Sequence, residues 1–160
     1  MGLTILQSNI RNWKKNKYLL SVSLADSNPD VILLNETGIN NEDRIKLYGY
    51  RAIEKNIEAF SGVAILIKNH IEYQEIYLKE TNILAIKMST TFGPIIISTA
   101  YVPPRIQTLP RLSLQKLLNF NLPTLFIGDL NAHHPFFNNS DITHPYGDRR
   151  GKDLYNLIQS

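Results

Sequence analysis

"TLFIGDLNAHHPFF", Thr124 to Phe137, changes character half-way along. Its first half is an apolar run broken by one Gly, the pattern of a strand covered on both faces. Its second half brings Asp129, Asn131, His133 and His134 together. A strand covered on both faces needs other layers to cover it. Strand ends are also rigid platforms on which side chains converge with small positional error. The stretch therefore points to a layered α/β protein whose chemistry sits at strand ends.

The chain upstream agrees. "VILLN" (Val31–Asn35) is a second continuous apolar run. Before it, Lys14 to Ala25 reads as a helix with Tyr18, Leu19, Val22 and Leu24 as its apolar face. "DSNPD" ends that helix, because the residue before Pro29 is pushed out of helical geometry. Leu3 to Ser8 reads as a short strand, so the chain opens strand, helix, strand. "GVAILIK" (Gly62–Lys68), "EYQEIYL" (Glu72–Leu78), "ILAIKM" (Ile83–Met88) and "PIIISTAY" (Pro94–Tyr101) follow as strands. Their spacings are too short for helical crossovers, which predicts antiparallel pairing. Arg111 to Phe120 reads as a short helix, and Thr124 to Asp129 as the strand already quoted. A polar loop is expected from Asn131 to Arg150. A last helix is expected after Gly151, with Leu154, Leu157 and Ile158 on one side.

At 160 residues the chain is read as one domain, 1–160. Hydrophobic residues make up 43%, enough for a core, and charged residues only 19%, which argues against disorder. The absence of Cys excludes disulfides, thiolate zinc sites and a Cys nucleophile. No apolar run is long enough to span a bilayer. The net charge of +3 suits either ordinary solubility or attraction to a polyanion.

Several strands end on polar residues: Asn9, Glu36 beyond "VILLN", Tyr101, and Asp129 with Asn131. Taken singly, Asn9 fits a turn, Glu36 a loop acid, Tyr101 a packed aromatic and Asp129 an Asx turn. Taken together they make an oxygen-rich, ligand-poor site. That composition suits Mg²⁺ or Mn²⁺, which completes its shell with water and phosphate oxygens. Other motifs fail. A calcium loop starting at Asp129 would need Gly where His134 stands and Glu where Ser140 stands. His133 and His134 are adjacent and point apart on an extended chain, so a shared metal is disfavoured. Serine-hydrolase and P-loop motifs are absent.

In order, "LQSN", "PDVILLNET", "SGVAILIK", "AYVPP" and "IGDLNAHH" resemble the endonuclease/exonuclease/phosphatase superfamily. The likeness is strongest to the apurinic-like endonuclease domain of non-LTR retrotransposons, whose Arg-Gly helix start resembles "DRRGKDLYNLIQ". The resemblance implies a four-layer α/β sandwich of two mixed sheets with outer helices. It implies a metal at Glu36 supported by Asn9, and a scissile phosphate touched by Tyr101. Asp129 would handle the proton of water or leaving group, and Asn131 would hold the phosphate. The implied reaction is Mg²⁺-dependent nicking of double-stranded DNA, priming a reverse-transcriptase domain of the same polyprotein. Lys14, Arg105, His134, Arg149 and Arg150 are the expected DNA rim, and a DNA substrate implies a nuclear location, otherwise cytoplasmic. The family also places a Ser-Asp-His block in its final strands. His70, His133, His134 and His144 do not stand in one, and an acid found in some relatives is Arg11 here. The expectation is thus a domain incomplete at its C-terminal end, with weak or no nicking activity. The rival readings are another phosphoesterase of the superfamily and a non-catalytic DNA-binding remnant.

Overall fold

The computed structural model describes residues 2–40, 43–56, 61–137 and 146–159. Strands β1 (Ile5–Asn9), β2 (Val31–Asn35), β3 (Tyr50–Lys55) and β4 (Val63–Lys68) form one sheet in the order β1-β2-β4-β3. Strands β5 (Tyr73–Glu75), β6 (Ile83–Thr90), β7 (Gly93–Ala100) and β8 (Thr124–Phe126) form a second, ordered β5-β6-β7-β8. Both sheets are mixed: β1 runs parallel to β2, and β8 parallel to β7, while the remaining pairs are antiparallel. Helix α1 (Trp13–Ser27) covers the first sheet; α2 (Arg111–Leu118) and α3 (Arg149–Gln159) cover the second. This is the expected four-layer sandwich.

The apolar pattern explains the layers. In β2, Val31 and Leu33 face the other sheet, packed with Ile65, Ile86 and Ile97. Ile32 and Leu34 face the helix layer with Trp13 and Leu20. All of β2 is fully buried, and each such aliphatic side chain stabilises the fold by about 1.5–3 kcal/mol. The second outer layer joins Ile83, Ile96 and Ala100 to Leu114 and Leu157.

Four details differ from expectation. Helix α1 begins at Trp13, and Trp13 and Leu20 are its buried residues; Tyr18, Leu19 and Val22 are exposed on the opposite face. Strand β3 was not expected, since "YRAIEK" carries three charges and lies on a sheet edge. Strands β5 and β8 are shorter than expected, β8 ending at Phe126 with a single further bridge between Tyr101 and Asp129. Helix α3 starts at Arg149, so Gly151 lies inside it. The expected Asn131–Arg150 loop falls partly outside the described residues, and His144 with it. No described helix is long and apolar enough to cross a membrane.

Candidate active site

Parallel pairing of β1 with β2 brings Asn9 level with Asn35, one residue before Glu36. The pairing continues past the strand ends. Ile10, Asn12 and Trp13 N–H groups donate to the carbonyls of Asn35, Glu36 and Thr37, at 3.0, 2.8 and 2.8 Å. Glu36 is held there with φ 54°, a left-handed conformation that costs a non-glycine residue free energy and persists because its surroundings impose it. Its Oε1 accepts the Asn9 Nδ2 hydrogen bond at 2.6 Å. Asn9 Oδ1 in turn accepts the Arg11 N–H at 3.2 Å.

The second sheet supplies the other half. Tyr101 follows β7, is buried, and lies beside the Glu36 carboxylate. Burial and the nearby Glu36 and Asp129 carboxylates push its phenol up to about 12, and the Arg105 cation offsets only part of the rise. Tyr101 therefore remains a hydrogen-bond donor at neutral pH. Asp129 donates its N–H to the Ala100 carbonyl at 2.9 Å and passes its own carbonyl to Val102 N–H at 2.8 Å. Its Oδ1 accepts the Asn131 N–H at 2.9 Å, an Asx turn. Asn131 also has positive φ, 45°, and its Nδ2 donates to the Val102 carbonyl at 2.9 Å. Thus Asn9, Glu36, Tyr101, Asp129 and Asn131 gather at one end of the sandwich, from both sheets.

The expected rim divides. Arg149 is exposed, as is Lys14, though Lys14 pairs with Asp43 at 2.8 Å. Arg105 is exposed beside Tyr101. His134 does not reach outward as a free side chain: its ring stacks on Tyr155 of α3, centroids 4.6 Å apart, and Nδ1 accepts the Phe136 N–H. Arg150 is not a rim residue. It is 7% exposed, and its Nη1 donates to the carbonyls of Pro103 (3.3 Å) and Ile106 (3.1 Å), beside Asp148 at 3.6 Å. The cation is committed to bracing the turn after Tyr101.

Asp148, which sequence reasoning passed over, organises this corner. Its Oδ1 accepts the N–H groups of Gly151 (2.7 Å) and His133 (3.2 Å), capping α3 and tying it to the segment after Asn131. The signal was present as Asp three residues before Gly151. Gly151 itself lies against the His133 backbone, where an added Cβ would stand 1.9 Å from the His133 oxygen. Burial raises the Asp148 carboxyl, but the two N–H bonds and Arg150 outweigh it, so the net shift is downward. A lowered carboxylate stabilises the fold above its unfolded value and loses that contribution as pH falls through the folded value. Asp148→Ala is expected to cost about 1 kcal/mol at pH 7. Urea midpoints of the two chains should converge as the pH is taken down through the acid range.

The sequence pattern of the Endonuclease/Exonuclease/phosphatase family matches residues 6–153. The chain belongs to that family. Within the family, its likeness is to retrotransposon endonuclease domains. It is 32% identical over 112 residues to a probable RNA-directed DNA polymerase from transposon X-element of Drosophila melanogaster, covering 66% of this chain and 12% of that protein. It is 28% identical over 147 residues to the RNA-directed DNA polymerase from mobile element jockey of Drosophila funebris, 87% of this chain and 15% of that protein. The chain thus spans a small fraction of these curated relatives. The endonuclease domain of TRAS1, a telomere-specific non-LTR retrotransposon, shares the fold with a TM-score of 0.72 at 18% identity. That match covers 99% of this chain and 70% of the other. An AP endonuclease from Leishmania major gives 0.73 at 16% identity, covering 98% and 66%. Family membership makes the strand-end cluster the candidate hydrolytic centre of a nuclease-like domain.

Proposed function

We propose that the chain is the DNA-nicking endonuclease domain of a non-LTR retrotransposon, using a divalent metal held by Glu36 and Asn9. The observation that carries this reading is the Asn9–Glu36 hydrogen bond at the end of one sheet, set beside Tyr101 and its bridge partner Asp129 at the end of the other. One carboxylate with one amide is a sparse, hard oxygen set, which fits Mg²⁺ or Mn²⁺ sharing its shell with water and substrate phosphate. Bound there, the ion supplies Lewis-acid neutralisation of phosphate charge.

The chain's own residues divide the remaining work. Tyr101 stays protonated and donates to a non-bridging phosphate oxygen. Asp129, held by its Asx turn, orients the attacking water and takes or returns its proton. Asn131 has its backbone fixed by Asp129 and stands where charge builds on the phosphorus oxygens. Arg105, Arg149 and Lys14 supply phosphate contacts along the rim. Such a domain would act on double-stranded DNA in the nucleus and leave an end for a reverse-transcriptase domain of the same polyprotein.

Supercoiled-plasmid nicking tests the reading. Nicking is expected with Mg²⁺ or Mn²⁺, falling to the level of buffer alone with EDTA, in Asp129→Ala and in Glu36→Gln. Equal nicking by Asp129→Ala would remove it from the chemistry.

A further inference from the structure

We propose that Asn35 is a positioning residue: its side-chain amide clamps the end of β2 to the end of β7 and so sets where Glu36 stands relative to Tyr101 and Asp129. Its bearing on catalysis rests on the metal-dependent reading above; the clamp itself rests on geometry alone.

Asn35 is the last residue of β2, in the interior of its sheet, and is fully buried. A buried amide costs free energy unless its hydrogen bonds are made. Both are made, and both cross to the other sheet. Nδ2 donates to the Ala100 carbonyl at 2.7 Å, and Oδ1 accepts from Thr99 Oγ1 at 3.1 Å. Around it the interface is apolar: Val31, Leu33, Ile65, Leu84, Ile86 and Ile97. A second polar tie, from Lys55 Nζ to the Leu78 and Glu80 carbonyls at 2.7 and 3.0 Å, comes from the edge strand β3. Apolar contact holds two sheets together without fixing their alignment, because it has no direction. Hydrogen bonds have direction and a narrow length range.

The clamp also lies where alignment matters. Glu36 follows Asn35 in the chain, and Asn9 is its partner across the parallel ladder. Tyr101 follows Ala100. The same Ala100 carbonyl accepts the Asp129 N–H at 2.9 Å, so one oxygen joins β2, β7 and the segment leading from β8. Asn35 also gives its backbone carbonyl to Ile10 N–H. Four candidate site residues are thus each one covalent step, ladder rung or hydrogen bond from this amide or its acceptor. Without it, the ends of β2 and β7 would meet through packing alone, and the Glu36 carboxylate would no longer be set beside the Tyr101 phenol.

The test uses the full chain with ¹³C-labelled tyrosine, the Tyr101 ring signal being assigned by its loss in Tyr101→Phe. Glu36→Gln provides the signal of Tyr101 without a carboxylate partner. Thr99→Val and Asn35→Leu should shift Tyr101 toward that reference. Thr99→Ser, which keeps the hydroxyl, should leave it in place. So should Ile32→Val, a buried substitution on β2 that alters packing only. An unmoved Tyr101 signal in folded Thr99→Val overturns the proposal, as does an equal shift in Ile32→Val. Should Asn35→Leu fail to fold, the Thr99 pair still decides. Mn²⁺ affinity, followed by water-proton relaxation, should fall about ten-fold in Thr99→Val. A native chain that binds no Mn²⁺ sinks the metal reading, and the Tyr101 signal still decides the clamp.

Discussion

Gly128→Ala is expected to unfold the chain about 6–12 °C below the native one and to disorganise the site even where it stays folded. A Cβ at this position would stand 2.3 Å from the Ala100 oxygen and 2.7 Å from the Ala100 nitrogen. Both are backbone atoms of β7 and have no rotamer through which to yield. The chain must part from β7, and over-packing of this kind costs about 3 kcal/mol, the upper part of its usual range. The displaced atom matters more than the energy. The Ala100 oxygen accepts both Asn35 Nδ2 and the Asp129 N–H. Moving it loosens the acid on one side and the Glu36 strand on the other. Thermal unfolding checks the first effect. Mn²⁺ binding at a temperature where the variant is folded checks the second, with loss expected. A variant with native stability would mean that the β7–Gly128 approach is looser than described.

Arg150→Met should cost about 2–3 kcal/mol while leaving the salt dependence of DNA binding unchanged. The methionine fills the volume but leaves the Pro103 and Ile106 carbonyls and the Asp148 carboxylate without their cation. Charged hydrogen bonds removed from one side only are costly because the partners stay buried. A residue that neutralised a DNA phosphate would behave the other way. Its loss would spare the fold and lower the slope of log affinity against log salt by about 1, as expected for exposed Arg149→Ala. Urea unfolding with a salt titration of each variant separates the two roles. A lowered slope in stable Arg150→Met would return Arg150 to the rim.

Which features could be read from the chain follows from how local their cause is. The strands β2, β4, β6 and β7 are continuous apolar runs, and burial on both faces needs no distant information. The strand-end residues Glu36, Tyr101, Asp129 and Asn131 were legible for the same reason, since each follows such a run, while Asn9 ends β1, a shorter and only partly apolar strand. The apolar face of α1 was misplaced because Leu20, not its neighbour Leu19, meets the sheet. Strand β3 was missed because an edge strand can keep its charges in water. Arg150 looked like a surface cation because its acceptors come from a turn far back in the chain. Asn35 was read only as the last residue of "VILLN". Its partners, Thr99 and Ala100, lie in the other sheet, and nothing near it in sequence announces them.

The zipper from Ile10 to Trp13 along the Asn35–Thr37 backbone has a consequence for ligand recognition. It holds Glu36 in a left-handed conformation that a free loop would seldom visit, and Asn9 fixes the carboxylate beside the Tyr101 phenol. The entropy lost in ordering that acid is therefore met when the chain folds, and little of it is left to oppose the arrival of a ligand. An incoming ion or phosphate meets an acid already aimed. Affinity at this end of the sandwich is then governed by how well the two sheets are aligned, not by how readily a loop can close.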